Sequence, residues 1–300
     1  MTPRYRGRFA PSPTGPLHFG SLVAALASFL QAKAQGGEWL VRIEDIDPPR
    51  EAPGASDDIL RTLAAFGFEW DGEIVYQSRR AEAYRAALDR LQAGGALYGC
   101  ACTRKEIADS SVQGIEGPVY PGTCRAVPPD GRSIKALRVR TDDATVEFDD
   151  LWQGRISRRL ETDYGDFVVK RADGLFAYQL AVAVDDAAQG ITEVVRGADL
   201  LESTPRQIHL QHLLGLPTPC YAHLPVAVNA NGEKLSKQTS AAPVDIKHPL
   251  PMLIHALEFL SQTPPAELMD ADLESFWSWA IGNWRPNTVS TTRSIVASEK

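Results

Sequence analysis

Apolar residues run almost unbroken from Leu22 to Leu30, and Gln31 and Lys33 close the run. With the loop and short strand before it, this pattern predicts strand, loop, then a helix whose first turn begins near Gly20 and Ser21. Glu38 to Asp47 follows Gly36-Gly37 and reads as a buried strand ending in acids. On its pleat Leu40, Arg42 and Glu44 share one face, and Val41, Ile43 and Asp45 the other. Pro48-Pro49 ends it. Ile59, Leu63 and Phe66, then Tyr84, Leu88 and Leu91, repeat at helical spacing and predict helices over 55–66 and 80–92. Ser56, with Asp57 and Asp58, is the expected cap of the first. Strands alternating with helices in this way predict βαβ units of a parallel sheet.

The texture changes after Ala96. Residues 134 to 171 alternate in the β manner, with Lys135, Arg138, Arg140, Arg155, Arg158, Arg159, Lys170 and Arg171 interleaved. This predicts a mixed or antiparallel insertion with one cationic side, a face that is solvated or touches RNA. Asp166 to Asp186 returns to strand and helix, and Gly190 to Gly197 is a second buried strand ending at Arg196. Asp199 to Leu214 reads as a helix with His209 and His212 in structural positions, and Leu250 to Trp284 as a short helical tail before a polar, frayed end. The chain is thus α/β, a parallel sheet split by an insertion.

Composition narrows the class. A net charge of −7 provides no global field for nucleic acid, so any RNA contact rests on local basic patches. No apolar run reaches membrane-spanning length. Pro11 and Pro13 interrupt any signal-peptide pattern, and the chain reads as cytoplasmic. Three of the four cysteines, Cys100, Cys102 and Cys124, are bunched, which in that compartment suggests a small zinc knuckle rather than disulfides. None of the six histidines lies nearby. Tyr120 is the best local fourth ligand, with water or an acid as the competing choice. Cys220 reads as a core thiol.

The chemistry gathers in two loops. Arg8 to Ser21 combines prolines, glycines and His18 before a helix N-terminus, whose free N–H groups suit a phosphate. Gly15 and Gly20 have P-loop spacing, but Ser21 and Leu22 stand where lysine and a hydroxyl would be, so a phosphate-binding lysine must come from elsewhere. Asn229 to Gln238 supplies it, with Lys234 and Lys237 in a Gly-containing turn. Between them, Arg196 at a strand end is placed either to grip a carboxylate or to pair with Asp199. Tyr178 is either a hydroxyl for that pocket or a core aromatic.

Taken together, Pro11-Ser-Pro-Thr-Gly15 with His18-Phe-Gly20-Ser21, and Lys234-Leu-Ser-Lys-Gln238 downstream, resemble the paired "HIGH" and "KMSKS" signatures of class I aminoacyl-tRNA synthetases. Arg42 to Asp47, Tyr178 with Asp185-Asp186, and Gly190 to Gly197 resemble the glutamyl subgroup. Only residues 241–300 follow the lysine loop, where a full glutamyl enzyme carries a large anticodon-binding region. Cys100, Cys102, Tyr120 and Cys124 resemble the zinc ligands of the truncated paralogues, the glutamyl-queuosine tRNA(Asp) synthetases. Ser21 departs from the second histidine of "HIGH", and Leu235 and Gln238 from the Met and last Ser of "KMSKS".

The resemblance implies a Rossmann-like domain in two halves, 1–95 and 190–240, split by an acceptor-binding-like insertion with a zinc knuckle at 96–189. A truncated helical stem-contact-like domain follows at 241–300. It implies a monomer that uses ATP with Mg²⁺ to activate L-glutamate without tRNA, then esterifies it to queuosine in tRNA(Asp). Arg8, Phe9, Ala10, Pro11, Ser12, Glu44, Tyr178 and Arg196 would hold glutamate. His18, Gly20 and Lys237 would bind ATP, with His18, Lys234 and Lys237 catalytic. One structural Zn²⁺ would sit on Cys100, Cys102, Tyr120 and Cys124. The alternatives are a compact glutamyl-tRNA synthetase charging the tRNA 3′ end, a small H-x-G-H nucleotidyltransferase, and a non-catalytic RNA-binding paralogue.

Overall fold

The computed structural model describes residues 4–126, 131–235 and 242–297. Strand β1 (Arg6–Phe9) leads through the opening loop into α1 (Phe19–Ala34), and β2 (Glu38–Ile43) returns parallel to β1. α1 is apolar on nearly every face because it is covered on nearly every face. Leu22, Leu26, Phe29 and Leu30 share one apolar cluster with Phe9, Trp39 and Val41 of the strands. Helix α2 (Ala55–Ala65), the short strand β3 (Val75–Tyr76) beside β2, and α3 (Ala81–Ala93) follow. Ser56 does not cap α2. The cap lies two residues earlier, at Gly54 with φ +76°, where glycine is favoured, and Asp57 and Asp58 lie in the helix's first turn near the positive dipole end.

The middle of the chain builds two different sheets. β4 (Leu97–Cys100) runs into α4 (Arg104–Ser110), whose Thr103 and Glu106 form a capping box, and then a two-strand turn, β5 (Gln113–Gly114) and β6 (Gly117–Pro118). β7 (Ala136–Val139) pairs antiparallel with β4 on one side and with β10 (Phe167–Lys170) on the other. Between those two strands lies the hairpin β8 (Thr145–Asp150) and β9 (Gly154–Arg159), with the single turn α5 (Leu160–Asp163) after it. The hairpin does not join the antiparallel sheet. β8 lies beside β12 (Cys220–Leu224), through Asp150 and Tyr221.

Helix α6 (Tyr178–Ala188) leads to β11 (Glu193–Gly197), which pairs parallel with β12 on one side. On its other side β1 is reached by Thr192, whose N–H donates to the Arg6 carbonyl at 2.9 Å. The strands therefore follow in the order β3, β2, β1, β11, β12, β8, β9, and Phe9, Glu44 and Arg196 fall at or just past the carboxyl ends of three neighbouring strands, where such sheets bind ligands. Helix α7 (Thr204–Leu214) connects β11 to β12, and β13 (Val226–Val228) leads to the lysine loop. His209 is structural as expected, its Nε2 2.8 Å from the Arg140 carbonyl. Cys220 is exposed, not a core thiol, because it enters β12 at the rim of the sheet while the next four residues are buried.

The tail packs as part of the same core. α8 (Pro249–Phe259) and α9 (Leu273–Asn283) add Leu253, Leu257, Phe276 and Trp277 to the cluster around α1. The indole N–H groups of Trp277 and Trp284 donate to the Phe66 carbonyl and to Gln31 Oε1 at 3.1 and 2.8 Å. Up to residue 297 the end is not frayed as expected. β14 (Ser294–Val296), a short Ser-Ile-Val run in an otherwise polar stretch, pairs parallel with β13, and Ile295 packs against the main apolar cluster. Among the described residues no helix is long and apolar enough to cross a membrane.

Candidate active site

The opening loop, the end of β2, the start of α6, the end of β11 and the first part of the lysine loop line one cleft of about 480 Å³. Arg8, Phe9, Ala10, Pro11 and Ser12 form one wall, joined by Glu44, Tyr178 and Arg196. His18, Gly20 and Ser21 line the same cleft, as do Lys234 and Leu235. Residues more than two hundred positions apart thus converge. Lys237 and Gln238 lie outside the described residues.

Under the cleft the charges are arranged in a chain. Arg42, fully buried, gives Nη2 to Glu44 at 3.2 Å and Nη1 to Asp186 at 2.8 Å, with Gln189 Oε1 at 2.7 Å. Arg8 Nε reaches the same Asp186 at 3.1 Å. Burial opposes the charge of Asp186, but Arg8 and Arg42 win and hold its carboxyl below the usual range. For Glu44 burial wins, and its pKa is raised despite Arg42 and Arg8. Burial and the Glu44 charge likewise raise the Tyr178 hydroxyl. The neighbouring Asp185 takes no part in the cleft; it ties α6 to α3 and the turn that leads into it, through Gln77, Arg80 and Tyr84 at 2.8, 2.5 and 2.7 Å.

Arg196 is not paired with Asp199, which instead accepts from Lys234 Nζ at 2.6 Å. Its Nε donates to His223 Nε2 at 3.0 Å and its Nη2 to Thr204 Oγ1 at 2.7 Å. Nη1 has no hydrogen-bond partner among the described residues. Sequence reasoning missed this support. His223 faces Arg196 across the β11–β12 ladder, and no local spacing announces a partner twenty-seven residues away.

At the other end of the cleft His18 is the N-cap of α1, and no acidic residue stands in the helix's first turn. Ser21 Oγ lies 3.1 Å from His18 Nε2, so the departure from the second histidine leaves a hydroxyl that orients the first. Gly20 is needed for closeness. A Cβ there would stand 3.3 Å from His18 Cε1 and 3.7 Å from the Leu235 carbonyl. A smaller cavity of about 170 Å³ shares Ser12, Thr14, Glu44 and Tyr178 with the cleft and adds Asp47, Glu51 and Arg171.

The cysteines form a separate site. Cys100, Cys102 and Cys124 place their sulfurs within 4.8 Å of one another. Tyr120 Oη lies 3.5 Å from the Cys100 and Cys102 sulfurs and accepts the Cys124 N–H at 2.9 Å. Burial opposes ionisation of Cys100, yet hydrogen bonds with Tyr120 and Arg138 bring its thiol below the ordinary value. Three convergent sulfurs with one hydroxyl fit a single tetrahedral metal ion. None of these residues lines the cleft. On the basic side of the insertion three of the eight cations pair with acids among the described residues, Arg155 with Glu147, Arg158 with Glu202 and Arg171 with Asp47 and Asp173.

The family model for the catalytic domain of class I tRNA synthetases (E and Q) matches residues 4–249. The chain is 61% identical over 286 residues to the glutamyl-Q tRNA(Asp) synthetase of Dechloromonas aromatica, covering 95% of each chain. It is 60% identical over 282 residues to the protein of the same name from Aromatoleum aromaticum, covering 94% of this chain and 89% of that one. Among solved structures, a glutamate tRNA ligase from Elizabethkingia meningosepticum in complex with its amino acid superposes with a TM-score of 0.81 at 23% identity, over 99% of this chain and 67% of that one. That likeness establishes the fold.

Proposed function

The chain belongs to the class I tRNA synthetases of the E and Q type, with the glutamyl-Q tRNA(Asp) synthetases as its relatives, and from that premise we propose that it activates L-glutamate with ATP and passes it to the queuosine base of tRNA(Asp). The observation that carries this reading is the Arg196 guanidinium, buried at the cleft wall with Nη1 unpartnered, in the same cleft as Glu44. An amino acid with a side-chain carboxylate suits that pair. Glu44 would meet its ammonium and Arg196 a carboxylate, with Arg8, Phe9, Ala10, Pro11, Ser12 and Tyr178 completing the pocket.

The glutamate α-carboxylate would attack the α-phosphorus of ATP in line and expel pyrophosphate. It is already an anion near neutral pH, so no general base is required. The protein's contribution is positioning and charge stabilisation. His18 and Gly20 at the start of α1 would face the triphosphate, whose charge Mg²⁺ shares. Lys237, with Lys234 assisting, would stabilise the departing pyrophosphate. A hydroxyl of the acceptor would then attack the activated carbonyl and release AMP, entering by the smaller cavity that shares Glu44 and Tyr178 with the cleft. Without tRNA, wild type is expected to show glutamate-dependent ATP–pyrophosphate exchange. Lys237→Ala and Glu44→Ala should each lose it about 10²–10³-fold. Wild-type exchange in both would refute these roles. Acylating tRNA(Glu) and queuosine-bearing tRNA(Asp) side by side separates this reading from a compact glutamyl-tRNA synthetase.

For the thiol site we propose one structural Zn²⁺, held by Cys100, Cys102, Cys124 and Tyr120, that ties the strand end at Cys100 to the loop at Cys124. Metal analysis should find about one zinc per chain in wild type and its loss in Cys102→Ser, with a lower melting temperature. Glutamate-dependent exchange without tRNA should persist in that variant, because the two sites share no residue. Full zinc in Cys102→Ser would remove it from the ligand set.

A further inference from the structure

Arg196 owes its orientation to a buried polar chain that the substrate does not touch. His223 and Asp150 are 0% and 4% exposed. The His223 Nδ1 lies 2.5 Å from Asp150 Oδ2, and its Nε2 accepts from Arg196 Nε at 3.0 Å. Thr204 Oγ1 accepts from Nη2 and also stands 3.2 Å from Nε2. Asp150 is itself fixed, because its Oδ1 accepts the backbone N–H groups of Trp152, Gln153 and His223 at 3.1, 3.0 and 3.0 Å. An arginine Nε is always a donor, so His223 must offer a lone pair there and carry its proton on Nδ1. The carboxylate selects that tautomer by accepting the Nδ1 proton. Burial keeps the ring neutral, with a pKa lowered to about 4 even though Asp150 pulls the other way.

We propose that His223, held in its Nδ1–H tautomer by Asp150, is a positioning residue for glutamate recognition: it fixes the Arg196 guanidinium so that Nη1 is the nitrogen left for a substrate carboxylate. The inference rests on the reading of the cleft as a glutamate site. It gives Asp150 and His223, which lie on adjacent strands and outside the cleft lining, a defined part in substrate affinity. No atom is transferred. The chain works through which nitrogen holds a proton.

Asp150→Asn is the discriminating variant. With its oxygen kept on the three backbone N–H groups, the amide nitrogen would face His223 Nδ1 and force the proton to Nε2, donor against donor with Arg196 Nε. The expected result is a rise in the glutamate KM for ATP–pyrophosphate exchange of about 10- to 100-fold, with the ATP KM within about twofold. His223→Gln retains an acceptor for Arg196 but strands Asp150. Its melting temperature should fall while its glutamate KM stays within about threefold of wild type, a split that a purely structural role would not produce. The ¹⁵N spectrum of labelled histidine in wild type should show His223 neutral and protonated on Nδ1 at pH 7. An unchanged glutamate KM in folded Asp150→Asn, or an Nε2–H or doubly protonated His223 in wild type, overturns the proposal. If Asp150→Asn does not fold, the wild-type spectrum decides alone. Absence of any glutamate-dependent exchange in wild type would instead refute the substrate reading, while the spectrum still decides the tautomer.

Discussion

Arg42→Met is expected to lower folding stability by about 3–5 kcal/mol, read as a shift in the urea midpoint. The side chain is fully buried, and methionine fills most of its volume, so the loss is one of charge rather than of packing. Arg42 is the cation between two acids, Glu44 at 3.2 Å and Asp186 at 2.8 Å. Its removal leaves Glu44 without its hydrogen-bonded arginine, whereas Asp186 retains Arg8 at 3.1 Å. Glu44, already raised by burial, would then titrate higher still, because the Arg42 charge that pulls its pKa down is gone. Asp186 adds an acid dependence. Its depressed folded pKa means that its stabilisation is present above the unfolded carboxylate range and is lost as pH falls through the folded value. Arg155→Met is the contrasting control. Its partner Glu147 lies at 2.7 Å, but the two side chains are 64% and 49% exposed, and such a pair is worth less than about 1 kcal/mol. A loss below about 1 kcal/mol in Arg42→Met as well would show that the acids rearrange to water or neutralise at little cost.

Position along the strand made Glu44 legible as a site residue, since a strand of alternating pleat that ends in acids leaves its last acid at the sheet's carboxyl edge. The same alternation put Arg42 on that face but could not show that it is the counter-ion of an acid on α6, because the pairing depends on how two distant elements dock. The loop from Arg8 to Ser21 was readable because its chemistry is local: glycines for close approach, and a histidine just before a helix N-terminus. The cysteine group was readable from its bunching alone. Most of what escaped depends on how distant elements dock. β8 sits against β12 rather than in the antiparallel sheet because Asp150 anchors His223, and an isolated Asp-Asp-Leu-Trp gives no sign of it. Ser56 failed as a cap because Gly54 could take the left-handed conformation that starts the helix earlier. β14 was hidden by its shortness and its polar flanks, since a lone Ile295-Val296 pair after Ser-Thr-Thr-Arg-Ser carries too little pattern to announce a strand.

The largest loss of activity is expected at Arg196, and it should come without the loss of stability expected at Arg42. The two arginines are both buried, but their partners differ in charge. Arg42 neutralises protein carboxylates, whereas Arg196 is hydrogen-bonded to a neutral imidazole, a hydroxyl and a backbone carbonyl. Among the described residues no carboxylate oxygen lies within 4.0 Å of it, so on the proposed reading its direct counter-ion is a substrate carboxylate. Holding such a charge ready costs stability, and removing it relieves that cost. Arg196→Ala should therefore melt at or above the wild-type temperature. Its kcat/KM for glutamate in ATP–pyrophosphate exchange should fall by about 2–5 kcal/mol, roughly 30- to 5,000-fold, with little change in the ATP KM. Arg196→Lys should not restore it. One ammonium cannot reach His223, Thr204 and a carboxylate from the three corners that the guanidinium occupies at once. Exchange within about fivefold of wild type in Arg196→Ala, or a rescue by lysine, would mean that the carboxylate is held elsewhere, and Arg8 in the opening loop would be the next cation to test.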